Sequence, residues 1–464
     1  MKETRRLLKN TGIIAIGNLS TKAISFFLLP LYTAILSTEE YGTIDYIVTL
    51  SMFCVPCISL LMDEAIFRFL IDCRTEKEKS VIISNSFFLT AVGVGLFLLV
   101  AYIFLTYIDY FYKTYLILFV ISEVVAGMIS ALLRGIGRTD AFAAYNFVSS
   151  VVQILLNVVF IAVFYWGVQG MLSAMIIGRI AASLLYSVFM KLWKYIDLKT
   201  LDKIKLKKLI VYSIPLIPNR ISWLIINLSS RIVIMGAMSG SAVGIFAISS
   251  KFATTMDMIY GFFYQSWKES SARILNDDDK DEFYNLVYKY LKSFMYSIVL
   301  LITAFIPLIF YVLIDKSYNE AILYVPILLI ATYFSNISGF YGGIFTAYKD
   351  TKIMGTTTIV AAVVNLILMI SSINLAGLYA VSLAALIANL VVYQYRKVKV
   401  RKYVRLKENK WKMAIDCIVT GVVLALFYSM QIYLQVIGII IAILYSIGMN
   451  CALLHKVYLK IKHK

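Results

Sequence analysis

Residues 213–234 read SIPLIPNRISWLIINLSSRIVI, and this stretch predicts both a membrane fold and an unusual chemistry. It is long and apolar enough to cross a bilayer as one helix, since about 20 apolar residues span the hydrocarbon core. It nevertheless contains two prolines, two asparagines and two arginines. An apolar helix that retains such residues is typical of a membrane protein with a polar interior site.

The rest of the chain has the same apolar character. Hydrophobic residues make up 61% and charged residues 15% of the sequence, with a mean hydropathy of +0.83. Soluble domains are nearer to ~45–50% apolar and ~25% charged. Fourteen apolar runs of membrane-crossing length follow one another, so we predict an all-α, polytopic membrane protein with 14 transmembrane helices.

The basic residues predict the topology. Of the 44 lysines and arginines, six lie inside apolar runs, two (Lys113 and Lys316) lie in one alternate set of loops, and the other 36 lie in the opposite loops and tails. Cytoplasmic loops carry this excess, so both termini are predicted to be cytoplasmic. A net charge of +18 confined to one side suits an anionic leaflet and does not indicate nucleic-acid binding.

A long basic loop divides the chain into similar halves. We predict an N-terminal lobe of six spans at 1–190, a basic linker at 191–208 and a second six-span lobe at 209–395, followed by a basic loop, two further spans and a tail at 396–464. Parallel repeats of this kind allow one lobe to rock against the other. The matched positions are 34–44 with 236–246, 134–139 with 346–351, Asn157 with Asn365, and Gly170 with Gly377.

Six cations inside apolar runs are the strongest functional signal. Each costs from about 2.5 to more than 10 kcal/mol, depending on the estimate, unless it is paired or lines a wet cavity. They are Lys22, Arg68, Arg179, Arg220, Arg231 and Lys251.

Four of them are predicted to face an interior cavity. Arg220, Asn227 and Arg231 share one helical face, because seven and four residues separate them. Arg220 lies eleven residues into its run, too deep for simple snorkelling, whereas Arg231 lies near the outer end and could snorkel. In the first span Lys22 shares a face with Asn18, and in the eighth Lys251 lines up with Thr255; we predict a cavity role for both lysines.

Two cations have plainer explanations. Glu64 lies four residues before Arg68, the spacing of an intrahelical ion pair. Arg179 lies among small residues, and Glu123 is its predicted buried partner. We interpret both arginines as structural, although Arg68 stays a candidate for the cavity.

The cations indicate an anionic substrate and no catalysis. Spans 1, 2, 7 and 8 hold five of the six, and arginine binds phosphate oxygens in a bidentate fork. The two histidines, His455 and His463, lie in the tail, and the sequence contains no metal-spaced cluster, nucleophile motif or phosphate-cradling glycine loop. We therefore predict a transporter without metal or cofactor.

Several stretches of the sequence have a recognisable pattern. They are LSTEEYGTIDYIVTL at 36–50, LLMDEAIFRFL at 60–70, ALLRGIGRTDAFAAYNFVSSVVQILLN at 131–157, WGVQG at 166–170 and IPLIPNRISWLIINLSSRIVI at 214–234. In these stretches, and along essentially the whole chain, the sequence resembles the polysaccharide-transport (Wzx-type) flippases of the multidrug/oligosaccharidyl-lipid/polysaccharide (MOP) exporter superfamily. Family members commonly have an acidic residue before the arginine of span 7, where this chain has Ser230.

The resemblance implies a function and a site. It implies flipping of an undecaprenyl-diphosphate-linked oligosaccharide from the cytoplasmic to the outer leaflet of a bacterial cytoplasmic membrane, for surface-polysaccharide assembly. Besides this substrate and membrane lipids, polysaccharide polymerase and glycosyltransferases are candidate partners. The diphosphate contacts that it implies are Lys22, Arg220, Arg231, Lys251 and Arg68, with Asn18 and Asn227 as supporting polar residues.

Two relatives of the same superfamily remain as alternatives. A lipid II flippase of peptidoglycan synthesis would differ in headgroup alone. A multidrug or cation antiporter would favour intramembrane carboxylates, of which Asp63, Glu64 and Asp257 are the candidates here. A glycan polymerase or ligase would need a large outer loop, and the predicted outer loops are short.

Overall fold

The computed structural model describes residues 28–107, 111–276, 279–348, 350 and 352–462. Within these ranges the chain forms helices joined by short turns, and it contains no β-strand. Eleven helices in the described ranges are long and apolar enough to cross a membrane, and Leu228–Ala237 is a shorter apolar helix. The prediction of an all-α, polytopic protein is confirmed, whereas the count of fourteen spans is not.

The chain folds as two compact units, residues 1–232 and 233–464. The predicted lobe, linker and tail boundaries stay predictions. The first unit contains α1 (Leu29–Ile35), α2 (Thr38–Ile58), α3 (Met62–Asp72), α4 (Glu76–Tyr107), α5 (Lys113–Gly135), α6 (Thr139–Asn157), α7 (Gly167–Phe189), α8 (Lys203–Ser213) and most of α9 (Leu216–Ala237). The second unit contains α10 (Gly240–Arg273), α11 (Lys280–Leu313), α12 (Val325–Ala347), α13 (Lys352–Val400), α14 (Lys410–Tyr428) and α15 (Ile432–Lys462).

The repeated motif at 34–44 and 236–246 is a helix start. Ser37 caps α2, since its Oγ accepts a bond from the Glu40 amide at 3.2 Å while the Glu40 carboxylate accepts one from the Ser37 amide at 2.9 Å. Ser239 caps α10 in the same way, with 3.2 Å between its Oγ and the Ala242 amide. These caps satisfy amides that have no acceptor within the helix.

Both units contain a glycine in the left-handed region. Gly167 (φ 53°) begins α7, after the short π-helix Val158–Val163, and Gly377 (φ 53°) interrupts α13. Glycine adopts this conformation without steric cost. The pairing of Gly170 with Gly377 in the repeat stays a prediction, and Gly167, three residues before Gly170, is the residue that shares the positive φ of Gly377.

The predicted second span is broken. The apolar run 43–71 forms two helices, α2 and α3, because Leu60 and Leu61 adopt left-handed conformations with φ of 51° and 52°. Such a conformation is unfavourable for a bulky residue and is tolerated where packing enforces it. Met62, Ile66 and Leu70 of α3 are buried in the main apolar cluster of this unit. Packing of α3 thus stabilises the break.

In the second unit, the segment between α13 and α14 is fastened to α11. Glu408 forms an ion pair with Lys397 (Nζ–Oε2 2.5 Å) and accepts a hydrogen bond from Tyr288 at 2.9 Å. Partial burial acts to raise the pKa of Glu408, but hydrogen bonds from Lys397 and Tyr288 outweigh it and hold this pKa below its usual range. Glu408 is therefore more stable as a carboxylate in the folded chain than in the unfolded one.

We expect Glu408→Gln to lower the stability of the protein at neutral pH by about 1–3 kcal/mol, the range for hydrogen bonds to charged groups. A carboxyl group whose pKa is lowered by folding stabilises the folded protein at pH values above its usual pKa. This contribution is lost as the pH falls through the pKa that the group has in the folded state. The melting temperatures of wild type and variant in detergent should thus converge below about pH 4.5. Glu282→Gln, at an exposed carboxylate on the same helix as Tyr288, is the control; an equal effect there would contradict the assignment.

Candidate functional site

The described residues include most, but not all, of the predicted site. Lys22 and Asn18 lie outside the described residues, and of Asn227 only the backbone, on α9, is described. Arg220 and Arg231 belong to the first unit, and Lys251 belongs to the second. The convergence of these residues on one cavity therefore stays a prediction, and the geometry below concerns each unit separately.

Arg231 is paired with a carboxylate from another helix. Its Nε lies 3.2 Å from Oδ2 of Asp45 on α2, and its Nη1 lies 3.4 Å from Oγ of Ser230. The side chains are largely buried, with 14% of Arg231 and 23% of Asp45 exposed. Asp45 therefore supplies the acidic partner that position 230 lacks. The pair escaped sequence analysis because 186 residues separate its members.

Arg220 lies near the start of a helix. The predicted span 209–236 is interrupted after Ser213, and α9 begins at Leu216. Pro218 is tolerated in the first turn of α9, where amides have no intrahelical acceptor. Arg220 is the fifth residue of α9 and its side chain is exposed. The run that carries Arg220 is thus divided into α8 and α9, and the depth of Arg220 in the membrane stays a prediction.

A second helix start lies on the other side of this charge. Asp63 is in the first turn of α3, directly after the break at Leu60 and Leu61, and it lies within electrostatic range of Arg220. Its Oδ1 is buried and has no hydrogen-bond partner among the described residues. The ring of Phe69 on α3 packs edge-on against that of Tyr212 on α8, with 5.5 Å between centroids.

These two interrupted helices form the candidate site of the first unit. Free amides at helix starts carry a partial positive charge and attract anions. Interrupted helices of this type line the ion and substrate sites of membrane transporters. The site combines one exposed guanidinium with an acidic residue within electrostatic range, so a phosphate bound to the guanidinium would compete with that attraction.

Arg68 does not pair as predicted. Its Nη1 contacts Oδ2 of Asp72 at 2.7 Å, and half of the arginine side chain is exposed. The predicted pairing with Glu64 is wrong. Both Glu64 and Asp72 are four residues from Arg68, and the arginine pairs with Asp72, at the end of α3.

Arg179 pairs as predicted. Its Nη2 lies 2.6 Å from Oε1 of Glu123, its Nη1 donates to the carbonyl of Met175 at 3.0 Å, and its guanidinium lies 4.7 Å from the Phe119 ring centroid. The buried pairing with Glu123 is confirmed. The guanidinium is held by partners on two helices, α5 and α7, which supports a structural role.

Lys251 lies on α10 of the second unit, half-buried. The Thr255 hydroxyl donates to its carbonyl at 2.9 Å, which places the two residues on one helical face, as the spacing predicts. The cavity role of the Lys251 side chain remains a prediction.

Two further cations escaped sequence analysis. Arg396, assigned to a loop, is 7% exposed and donates to the Thr357 hydroxyl at 2.9 Å and the Ser338 carbonyl at 3.1 Å. It forms no ion pair with the described carboxylates. Lys292, also counted with the cytoplasmic basic residues, is half-buried within α11. The sequence did signal Lys292, which lies with Lys289 inside the apolar stretch 285–314, so the count of six cations inside apolar runs was too low.

Comparison with known families identifies the chain. A family model described as polysaccharide biosynthesis protein matches residues 7–267, which is more than half of the sequence. The chain belongs to this family. The matched region includes Arg220, Arg231 and Lys251. No curated protein matches the chain significantly.

Solved structures share the fold. Lipid II flippase MurJ in an inward closed conformation has a TM-score of 0.70 at 15% identity, covering 96% of this chain and 99% of that one. An inward-facing multidrug resistance MATE family transporter of the MOP superfamily has a TM-score of 0.67 at 14% identity, covering 84% of this chain and 98% of that one. The protein is therefore a multi-pass membrane protein with this fold, and the predicted resemblance to a polysaccharide family is confirmed by the family match.

The ion pair between Asp45 and Arg231 can be tested by a double-mutant cycle. Removing one member of a buried pair leaves an uncompensated charge and costs up to about 3–5 kcal/mol. We therefore expect Asp45→Asn and Arg231→Gln each to lower the melting temperature, and the double variant to be more stable than the sum of the two losses predicts. Additive losses would show that the pair contributes no coupling.

Proposed function

We propose that this protein moves lipid-linked oligosaccharides between membrane leaflets for the assembly of a surface polysaccharide. The observation that carries the proposal is the exposed Arg220 at the start of α9, beside α3, in a chain of the polysaccharide biosynthesis family. The substrate class that suits this site is an undecaprenyl-diphosphate-linked repeat unit, since a diphosphate offers oxygens to both a guanidinium and helix-start amides.

The chemistry of the first unit supports a diphosphate contact at Arg220. Guanidinium binds two phosphate oxygens at once, and these charge-assisted bonds are about twice as strong as neutral ones. Asp63 can hold the arginine by charge attraction before substrate arrives, because the two lie within electrostatic range. An incoming diphosphate has more charge than one carboxylate and would displace this interaction.

The other candidate residues fall into two groups. Lys22 and Lys251, with Asn18 and Asn227, remain proposed contacts for the diphosphate. Arg231 and Arg68 already have carboxylate partners, Asp45 and Asp72. A contact between either arginine and substrate would therefore require an exchange of partners, which makes them positioning residues in the first instance.

The negative charge of the proposed substrate determines the direction in which the membrane potential drives its movement. The proposed movement carries an anion outward across a cytoplasmic membrane by alternating access of the two lobes, with both termini in the cytoplasm. An inside-negative potential favours outward movement of an anion by about 2.3 kcal/mol per charge per 100 mV. Polysaccharide polymerase and glycosyltransferases are proposed partners, because they would produce and consume the transported unit.

The alternative is a lipid II flippase, and the fold shared with MurJ along 96% of this chain favours it. Both substrates present a diphosphate, so the site chemistry alone does not separate them. Expression of this chain in bacteria depleted of their own lipid II flippase separates the two functions. Survival would favour lipid II, and failure to survive combined with export of a surface polysaccharide would favour the proposal.

We expect Arg220→Gln to abolish polysaccharide export, because it removes the charge and the bidentate fork while preserving length. Export is measured as surface polysaccharide in a flippase-deleted host, with membrane abundance of the variant measured in parallel. Arg220→Lys should retain charge but lose the fork, and should export less than wild type. The matched control is Arg138→Gln, an exposed arginine paired with Asp140 at 3.2 Å. Normal export by a well-expressed Arg220→Gln variant would contradict the proposal.

A further inference from the structure

The second unit contains a cavity of about 620 Å³, and its lining includes none of the residues proposed for transport. It lies between α11, the segment that joins α13 to α14, and the helices α14 and α15. Its lining residues include Leu286, Lys289, Lys292, Lys407, Lys412 and Met413. The volume is within the range of small-molecule sites, about 300–1,000 Å³.

Two of its lysines are held in place by neutral groups. Nζ of Lys292 lies 6.0 Å from the ring centroid of Tyr288, and Lys292 itself is half-buried. Nζ of Lys412 donates a hydrogen bond to Oγ of Ser293 at 2.9 Å. Neither lysine forms an ion pair within the described part of the chain. Glu408 and Asp416 attract the charge of Lys292, but from beyond ion-pair distance.

The carboxylates of the cavity are already engaged. Glu408 is bound by Lys397, which is not a lining residue, and by Tyr288. Asp416 accepts a hydrogen bond from the Tyr445 hydroxyl at 2.7 Å. The lining has four lysines against three carboxylates, and one of these, Glu408, is neutralised by Lys397 from outside the lining. The cavity therefore has a surplus of positive charge.

Hydrogen bonds within the protein hold the walls of this cavity in place. Asn285 on α11 donates to the Arg405 carbonyl at 3.1 Å and accepts from the Lys407 amide at 2.6 Å. These two bonds hold the segment before α14 against α11, and the hydrogen bond from Tyr288 to Glu408 holds it there again one residue later. The lysine-bearing walls are thereby fixed relative to each other.

Apolar side chains line the same cavity. Leu286 and Met413 are each 43% exposed, and Met449 of α15 completes this wall. Lysines beside apolar side chains match a ligand with a phosphate at one end and hydrocarbon at the other. Basic pockets between transmembrane helices bind anionic lipid headgroups in this way.

We propose that this cavity binds a phosphate-bearing anion, and that in the membrane this anion is the headgroup of an anionic phospholipid. Lys292 and Lys412 contact the phosphate, and the apolar wall contacts the acyl chains. The site is separate from Arg220 and from the proposed transport function. Lipid binding can therefore fail while export succeeds, or the reverse.

The test measures lipid binding by the purified full chain. Native mass spectrometry in detergent compares phosphatidylglycerol with phosphatidylcholine, and thermal unfolding is followed with inorganic phosphate. We expect wild type to prefer phosphatidylglycerol, and Lys292→Gln/Lys412→Gln to lower that affinity about tenfold. Lys292→Arg/Lys412→Arg keeps the charge and should keep the preference, which guards against a simple folding defect.

The control removes the same charge from the same unit, as Lys399→Gln/Lys402→Gln, two lysines outside the cavity. An equal loss in the control, equal affinity for the two lipids, or unchanged binding by the Lys292/Lys412 variant would each overturn the proposal. Stabilisation and lipid displacement by millimolar inorganic phosphate would assign the site to soluble phosphate. Lipid binding that phosphate does not displace would assign it to the phospholipid.

Discussion

In hydrocarbon, every backbone amide and carbonyl needs a partner inside the protein, and the rest of this structure depends on that constraint. It makes the described chain helical and confines unpaired groups to the few places where a helix breaks. The breaks at Leu60 and Leu61, and between α8 and α9, are therefore costly features that packing must support. They lie beside the ionisable residues Asp63 and Arg220, so the same positions combine free amides with charge.

Charge inside this protein is balanced mainly between helices that are distant in sequence. Arg231 uses Asp45, Arg179 uses Glu123, and Glu408 uses Lys397 across a turn. Lipid tails are as apolar as the surfaces of membrane helices, so the hydrophobic effect does little to orient one helix against another. Each ion pair therefore joins elements whose relative orientation needs a more specific contact. The ion pairs thus hold specific elements together.

The sequence predicted the fold class because apolar length and loop charge are direct consequences of the bilayer. It also predicted the Glu123–Arg179 pair, since a buried arginine needs a nearby carboxylate and few were available. It missed Asp45 as the partner of Arg231, because contact between helices is not encoded in local spacing. It led to Glu64 as the predicted partner of Arg68, whereas the partner is Asp72. Both carboxylates are four residues from Arg68, so spacing alone could not distinguish them. The break in the second predicted span was missed because left-handed leucines have no signature in composition.

Arg396 has a consequence for how the second unit behaves under changing conditions. Its guanidinium is held by hydroxyls and carbonyls of α12 and α13, groups that neither ionise nor compensate charge. An arginine also stays protonated across the physiological range, unlike a histidine or a buried lysine. Arg396 therefore contributes a positive charge to this unit that acidification does not remove. Any proton-dependent step of transport would have to use other groups, such as carboxylates.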